Sequence, residues 1–186
     1  MTNKEKILST TLNLIINNGF HGTSMKNIVE SSGISTGGVY YHFKTKDDII
    51  TQLYLSIKKE ILADIHAKVD VNDPTKKFIR DFWYSKVQWA KEHQCQKRFL
   101  DMFYQSPYKH TKINEELVAC YKLLVDRVKI AVDQGELIPM DCMFFFADID
   151  ASANVITDYA RKRPELNEEE LHEFAFKKYW RSIVNI

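Results

Sequence analysis

Apolar residues recur at every fourth position in one stretch of this chain. The series consists of Ile49, Leu53, Ile57, Ile61 and Ile65. This spacing keeps side chains on one side of an α-helix, whereas a half-buried strand requires strict alternation of apolar and polar residues. We therefore expect one long helix that opens near Thr45, with a Thr-x-x-Asp capping sequence, and ends near Val69.

Helical spacing also dominates the rest of the sequence. Gly19, Gly33 and Gly135 follow periodic segments, at positions typical of helix ends, and Pro74 and Pro107 interrupt others. The other well-marked helices are predicted at 4–18, 35–43, 141–161 and 167–184. No alternating segment bounded by hairpin turns is present. The sequence therefore predicts an all-α protein.

Composition limits the class of protein. The chain has 186 residues, of which 45% are hydrophobic and 27% charged, as is typical of globular proteins. No apolar run approaches the roughly 20 residues of a membrane helix, so a cytoplasmic protein without membrane association is expected. The net charge of +1 does not indicate a uniformly basic nucleic-acid binder. Evidence for DNA binding must come from local residues.

The cysteines give no sign of a metal centre or a disulfide framework. Cys95, Cys120 and Cys142 are widely spaced and odd in number. We expect reduced and mostly buried thiols. His93 and Cys95 lie two residues apart, but without a second such pair we expect no metal. We also find no phosphate-binding loop, nucleophile elbow or metalloprotease motif, so neither an enzyme nor a cofactor is expected.

Two short helical patterns lie on either side of a glycine-containing turn near the amino terminus. Met25, Ile28 and Val29 form one face of the first pattern, and Val39 and Phe43 form the inward pair of the second. The turn between them spans residues 32–35. Two helices joined in this way form a helix-turn-helix, whose second helix enters the major groove of DNA.

The second of these helices carries polar groups suited to DNA. Two adjacent glycines cost a helix about 1 kcal/mol each, which suggests a close approach by DNA. Side chains near the helix start face bases, and those at its end, with the amino end of the next helix, face phosphates. The predicted DNA-binding residues are Thr23, Lys26, Ser35, Thr36, Gly37, Gly38, Tyr40, Tyr41, His42, Lys44 and Lys46.

From about Lys4 to Leu55 the chain resembles the DNA-binding domain of the tetracycline-repressor (TetR) family. The most specific parts are Gly33-Ile34-Ser35 and the run from Val39 to Asp47. The resemblance implies a three-helix DNA-binding module with Tyr41, His42 and Lys46 on phosphates. Thr11 and Met25 depart from the residues usual in the family, but neither change removes a phosphate donor.

Three segments are expected: a DNA-binding domain at 1–46, a connecting helix at 47–70, and an effector-binding and dimerisation domain at 71–186. The last two helices are predicted to form a homodimer through a four-helix interface, which the resemblance also implies. The residues proposed for this interface are Ala147, Ala151, Ser152, Ala153, Phe174, Tyr179, Trp180 and Ile183. Such a dimer would bind a double-stranded operator with inverted half-sites.

Aromatic residues are concentrated between positions 78 and 121. An apolar or aromatic effector is expected there, which would lower DNA affinity through the long helix. The proposed effector-binding residues are Phe82, Trp83, Trp89, Phe99, Phe103, Tyr104 and Tyr121. Asp148, Asp150 and Asp158 would meet a cationic effector or, as we favour, lie at a solvated or interfacial edge. A regulator without a small-molecule effector, responding to a protein partner, is the alternative.

Overall fold

The computed structural model describes residues 1–110 and 115–185. Within these residues the chain forms nine α-helices, one 3-10 helix at Pro107–His110, and no strand beyond an isolated bridge between Leu137 and Val184. The α-helices are α1 (Asn3–Asn18), α2 (Met25–Ser32), α3 (Thr36–His42), α4 (Lys46–Lys68), α5 (Thr75–Glu92), α6 (Gln94–Tyr104), α7 (Glu115–Asp133), α8 (Cys142–Lys162) and α9 (Glu168–Ile183). The predicted all-α fold is confirmed.

Helix α4 follows the four-residue spacing of its apolar side chains. All five members of the series from Ile49 to Ile65 are buried. Thr45 and Asp48 form a reciprocal pair at its start: the backbone N–H of each residue donates to the side chain of the other, at 2.9 and 3.1 Å. The predicted capping sequence thus sets the beginning of α4.

The last two helices begin within one residue of the predicted positions, and each has a side-chain cap. The Asp141 carboxylate accepts hydrogen bonds from two backbone N–H groups at the start of α8. Asn167 does the same for α9 through its side-chain oxygen. These bonds satisfy donors that have no partner within the helix itself.

Contacts divide the chain into two compact units. The amino-terminal unit comprises Met1–Lys59 and His93–Ile113, and the carboxy-terminal unit comprises Glu60–Glu92 and Asn114–Ile186. The division falls within α4 and places α6 in the amino-terminal unit. The organisation expected from the sequence instead kept residues 71–186 together.

The carboxy-terminal unit is built around α5, whose Phe78, Ile79, Phe82 and Trp83 are fully buried. The indole N–H of Trp83 donates to the hydroxyl of Ser152 on α8 at 3.0 Å. Helix α9 is tied to α5 by two exposed ion pairs. Arg80 contacts Glu173 at 2.6 Å, and Lys91 contacts Glu168 at 2.7 Å.

No helix in the described part of the chain is both long enough and apolar enough to cross a membrane. The same residues contain no group of three or more histidine, cysteine or acidic side chains that could hold a metal ion. All three cysteines are free thiols. Cys95 is exposed, and Cys120 and Cys142 are half-buried, so the expectation of mostly buried thiols is wrong.

Candidate nucleic-acid interface

Helices α2 and α3 are held at a tight turn. Gly33 adopts a left-handed conformation with φ 64° and ends α2. The hydroxyl of Ser35 accepts the backbone N–H of Gly38 at 3.2 Å and so caps α3. Val39 and Phe43 pack with Ile7, Ile28 and Ile49 in a buried core. Because that core occupies one side of α3, the opposite side is left exposed.

The exposed side of α3 carries most of the residues predicted to bind DNA. Tyr41 is 79% exposed and Tyr40 is 42% exposed. Ser35, Thr36, Gly37 and Lys44 are exposed as well, whereas Gly38 and His42 are half-buried. Hydroxyls, phenol rings, an imidazole and an ammonium group thus lie along one short helix and its flanks. Groups of this kind donate to phosphates and base edges.

The two glycines of α3 differ in their surroundings. A Cβ on Gly37 would meet no atom of the described residues within 4 Å. A Cβ on Gly38 would lie 2.8 Å from Cγ2 of Ile34 and 3.2 Å from Oγ of Ser35. Packing against Ile34 and Ser35 therefore accounts for a glycine at position 38, whereas no contact among the described residues requires one at position 37. Contact of both glycines with DNA stays a prediction.

Two lysines near the start of α4 are already hydrogen-bonded within the chain: Lys44, which precedes the helix, and Lys46, its first residue. Lys44 Nζ donates to the carbonyl oxygen of Tyr40 at 3.0 Å, and Lys46 Nζ donates to that of Phe20 at 3.0 Å. An ammonium group has three N–H donors, so each lysine retains donors for a phosphate. Lys26 is exposed on α2, and its ammonium group lies 3.8 Å from the Glu30 carboxylate.

Two expectations for this region need correction. Thr23 is only 1% exposed, and its hydroxyl donates to the carbonyl oxygen of Gly19 at 2.9 Å. Its side chain therefore does not belong to the exposed surface. The backbone N–H groups at the amino end of α4 are not all available to a phosphate. Those of Thr45 and Asp48 already donate to the side chains of Asp48 and Thr45. Asp47 and Asp48 also place two carboxylates in its first turn.

The residues predicted to bind an effector are divided between the two units. In the amino-terminal unit, Phe103 stacks on Tyr54 with ring centroids 4.3 Å apart, and both Phe99 and Tyr104 contact Phe103. Phe103 and Phe99 are buried, and Tyr104 is exposed. These three predicted residues therefore belong to the core and surface of the unit that contains the helix-turn-helix.

The other predicted effector residues belong to the carboxy-terminal unit. Phe82 contacts Phe145 and Phe146, and Phe146 also contacts the half-buried Tyr121. Trp83 packs against Phe176 on α9. Trp89, also on α5, is buried.

The acidic residues of α8 favour the edge interpretation. Asp150 forms an ion pair with Lys86 of α5, whose ammonium group also lies 5.9 Å from the ring centroid of Phe82. Asp158 lies 3.7 Å from Arg161 on the same helix. Both carboxylates therefore already have basic partners within the chain.

Several of the residues predicted for the dimer interface are not exposed on the surface of the chain. Ala153, Tyr179 and Ile183 are buried in the chain's own core, and Ser152 accepts the hydrogen bond from Trp83. The exposed stripe on α8 instead consists of Phe144, Ala147, Ala151 and Val155, at intervals of three or four residues, and α9 adds Phe174. Phe144 and Val155 were not among the predicted residues. Their burial state follows from which side of α8 packs on α5.

Comparison with known proteins identifies the amino-terminal region. Residues 7–53 match the family described as bacterial regulatory proteins, tetR family. The transcriptional regulator QacR of Staphylococcus aureus is 28% identical over 139 residues, which cover 74% of this chain and 72% of QacR. RutR of Escherichia coli strain K12, also a helix-turn-helix transcriptional regulator, is 27% identical over 167 residues, which cover 84% of this chain and 74% of RutR.

Solved structures show the same fold over the whole chain. A TetR family transcription regulator from Marinobacter aquaeolei VT8 superposes with a TM-score of 0.81 at 15% identity, covering 99% of this chain and 96% of that protein. A TetR-family regulator from Haemophilus influenzae gives a TM-score of 0.76 at 19% identity, covering 98% and 96%. The exposed side of α3, the family match and the related regulators agree: residues 7–53 are a DNA-binding domain of the tetR family of bacterial regulatory proteins, and the chain as a whole is similar to TetR-family transcriptional regulators.

Proposed function

We propose that this chain is a homodimeric repressor that binds an operator with two inverted half-sites and leaves it when a small apolar or aromatic effector binds. The observation that carries the proposal is the exposed side of α3, where polar side chains and Gly37 lie opposite a closed apolar core. TetR-family regulators bind DNA operators and usually act as dimers with small-molecule effectors. The family relationship therefore supports operator binding, dimerisation and a small-molecule effector.

The roles of the α3 residues follow from their positions. Ser35, Thr36, Gly37 and Tyr40 are exposed near the amino end and middle of α3, so they would face base edges. Tyr41, His42, Lys44 and Lys46 lie at its carboxyl end and beyond, so they would contact phosphates. The first group would set sequence preference, and the second would set affinity and salt dependence.

The apolar stripe on α8 supports the homodimer. Val155 is 70% exposed and Phe174 on α9 is 68% exposed, although both side chains are apolar. Ala147 and Ala151 lie between Phe144 and Val155 on the same stripe, and small side chains permit two helices to approach closely. A second copy of the chain, related by a two-fold axis, would cover this surface with its own identical stripe. Such symmetry matches an inverted repeat in DNA.

The effector is proposed from the family relationship and from the aromatic content of the chain. A regulator that responds to a protein partner remains the alternative. A thermal-shift screen against a panel of apolar and aromatic compounds separates the two, because a ligand that binds the folded state raises the melting temperature. An effector must also weaken DNA binding, and DNA must weaken effector binding by the same factor.

The DNA-binding part is tested by selection from a pool of random duplexes with the full chain. The proposal predicts enrichment of two half-sites in inverted orientation, about one helical turn apart or a multiple of it. Fluorescence anisotropy then compares the selected duplex with one in which a single half-site is scrambled. Equal affinity for both duplexes would contradict binding as a symmetric dimer.

A further inference from the structure

Two neighbouring residues at the start of α4 are held by groups from distant parts of the amino-terminal unit. Lys46 Nζ donates to the carbonyl oxygen of Phe20, and the carboxylate of Asp47 accepts the hydroxyl of Tyr108 at 2.8 Å. Tyr108 lies in the 3-10 helix, 61 residues further along the chain than Asp47. We call Phe20, Lys46, Asp47, Phe99 and Tyr108 the Phe20 junction.

Aromatic contacts close the Phe20 junction. The ring of Phe20 lies 5.3 Å from that of Tyr108 and 5.9 Å from that of Phe99, measured between centroids. Tyr108 therefore acts on the start of α4 in two ways, directly through Asp47 and indirectly through Phe20. The carbonyl of Phe20 holds the ammonium group of Lys46, and the ring of Phe20 packs on Tyr108. The position of the Lys46 ammonium group therefore depends on the packing of Tyr108.

The chemistry of Tyr108 suits a lasting hydrogen bond. Burial and the adjacent Asp47 carboxylate raise the pKa of Tyr108 to about 12. Its hydroxyl is therefore protonated at neutral pH and remains a donor. A hydrogen bond to a charged carboxylate is stronger than one between neutral groups. The neutral phenol leaves the Asp47 carboxylate charged, so the bond fixes the position of that carboxylate and not its charge.

We propose that Tyr108 is a positioning residue for DNA binding, which fixes the start of α4 so that Lys46 reaches a phosphate. Tyr108 itself makes no contact with DNA in this account. The proposal rests on the proposed function, specifically on the phosphate contact of Lys46. It adds a residue outside the helix-turn-helix to the determinants of operator affinity.

The test is a double-mutant cycle on the full chain with the selected operator. The variants are Tyr108→Phe, which removes only the hydroxyl, Lys46→Ala, and the double variant. Anisotropy titrations at several salt concentrations give the affinity and its salt dependence. Tyr108→Phe should weaken binding about fivefold or more, the lower range of ordinary coupling between sites. It should also reduce the slope of log affinity against log salt concentration. The reduction should be at most the roughly 0.9 that one phosphate contact contributes.

The matched control is Tyr84→Phe in the carboxy-terminal unit. The Tyr84 hydroxyl donates to the carboxylate of Glu173 at 3.1 Å, so this variant loses the same kind of hydrogen bond far from α3 in sequence. Both tyrosine variants should lower the melting temperature, but only Tyr108→Phe should change DNA affinity and salt dependence. Melting curves of each variant verify that it is folded at the titration temperature.

The outcomes are distinguishable. If Tyr108 acts through Lys46, adding Tyr108→Phe to Lys46→Ala causes no further loss of affinity. Two results overturn the positioning role while the DNA-binding function stands. One is wild-type affinity in Tyr108→Phe, and the other is an equal loss of affinity when Tyr108→Phe is added to the wild type and to Lys46→Ala. Wild-type affinity and salt dependence in Lys46→Ala would instead remove the phosphate contact on which the proposed function and this inference both depend.

Discussion

The ammonium nitrogen of Lys46 lies 3.0 Å from the carbonyl oxygen of Phe20, a residue 26 positions earlier in the chain. A lysine side chain that is fixed before DNA arrives loses less conformational freedom on binding than one that is free. The bond occupies one N–H donor and leaves two. This arrangement fits a lysine that serves as a pre-positioned phosphate contact.

Replacing Lys46 by Ala should weaken binding to all DNA sequences to a similar extent and reduce the salt dependence, because a phosphate contact carries no base information. Thr36→Ala should instead change the ranking of operator variants, since Thr36 is exposed in the first turn of α3. Anisotropy titrations against a set of single-base operator variants check both. If Lys46→Ala alters the ranking and Thr36→Ala does not, the two assignments are reversed.

Gly37→Ala should stabilise the protein and yet impair operator binding. Alanine favours a helix over glycine by about 1 kcal/mol, and the added methyl group has no neighbour within 4 Å in the part of the chain that the structure describes. On DNA, the same methyl group would occupy space that a base edge or the backbone requires. Urea unfolding and anisotropy measure the two effects separately. Increased stability with unchanged operator affinity would show that DNA does not approach this position closely.

Gly38→Ala is the matched control for that substitution. Its methyl group would lie 2.8 Å from Cγ2 of Ile34, a β-branched side chain with little freedom to move. Overpacking of this kind costs about 1 to 3 kcal/mol. We therefore expect Gly38→Ala to lower the free energy of unfolding, opposite in sign to Gly37→Ala.

The sequence was informative wherever the determining contacts are local. The spacing of α4 and the starts of α8 and α9, predicted at 141 and 167, depend on residues within one or two turns, and all were predicted. The inward pair Val39 and Phe43 was predicted for the same reason.

The errors share a different physical cause. Thr23 and Tyr179 were predicted for exposed or interfacial roles, but packing within the chain buries both side chains. Likewise, the contact between Phe99 and Phe20 cannot be read from the spacing of residues within α6. Phe20 lies in a turn about eighty positions earlier in the chain. Which side of a helix meets which neighbour is a property of the assembled chain.

Val155→Glu should convert a dimer into monomers and reduce operator affinity strongly, because each half-site would then be bound separately. A charge in a covered apolar interface carries a large desolvation cost. Leu123→Glu on α7 is the control, since Leu123 is a comparably exposed apolar residue outside the α8 stripe. Sedimentation velocity should show monomers for Val155→Glu only. Identical sedimentation of both variants and the wild type would remove the stripe from the interface.

The free energy of unfolding should decrease as the pH is lowered below about 6.5, and part of this decrease should depend on His172. Burial lowers the pKa of His172, despite the opposing Glu168 carboxylate 3.7 Å away, and Lys91 adds to the lowering. The unfolded chain therefore takes up a proton before the folded chain does, so this contribution to stability is complete above the ordinary histidine pKa and is lost as the pH falls through it.

His172→Phe keeps a ring against Trp83 and Tyr84 and removes the titration. Urea unfolding at about pH 7.5 and about pH 5.5 should show a smaller loss of stability in this variant than in the wild type. Equal losses in the two proteins would mean that His172 titrates alike in the folded and unfolded states.

The DNA-binding role of the α3 surface is tested most directly by a triple variant, Tyr41→Phe, His42→Ala and Lys46→Ala. These changes remove three predicted phosphate donors and leave the core residues Val39 and Phe43 in place. Anisotropy titration with the selected operator, at several salt concentrations, compares it with the folded wild type. We predict a large loss of affinity and a shallower salt dependence, and unchanged affinity would contradict the assignment of this surface to DNA.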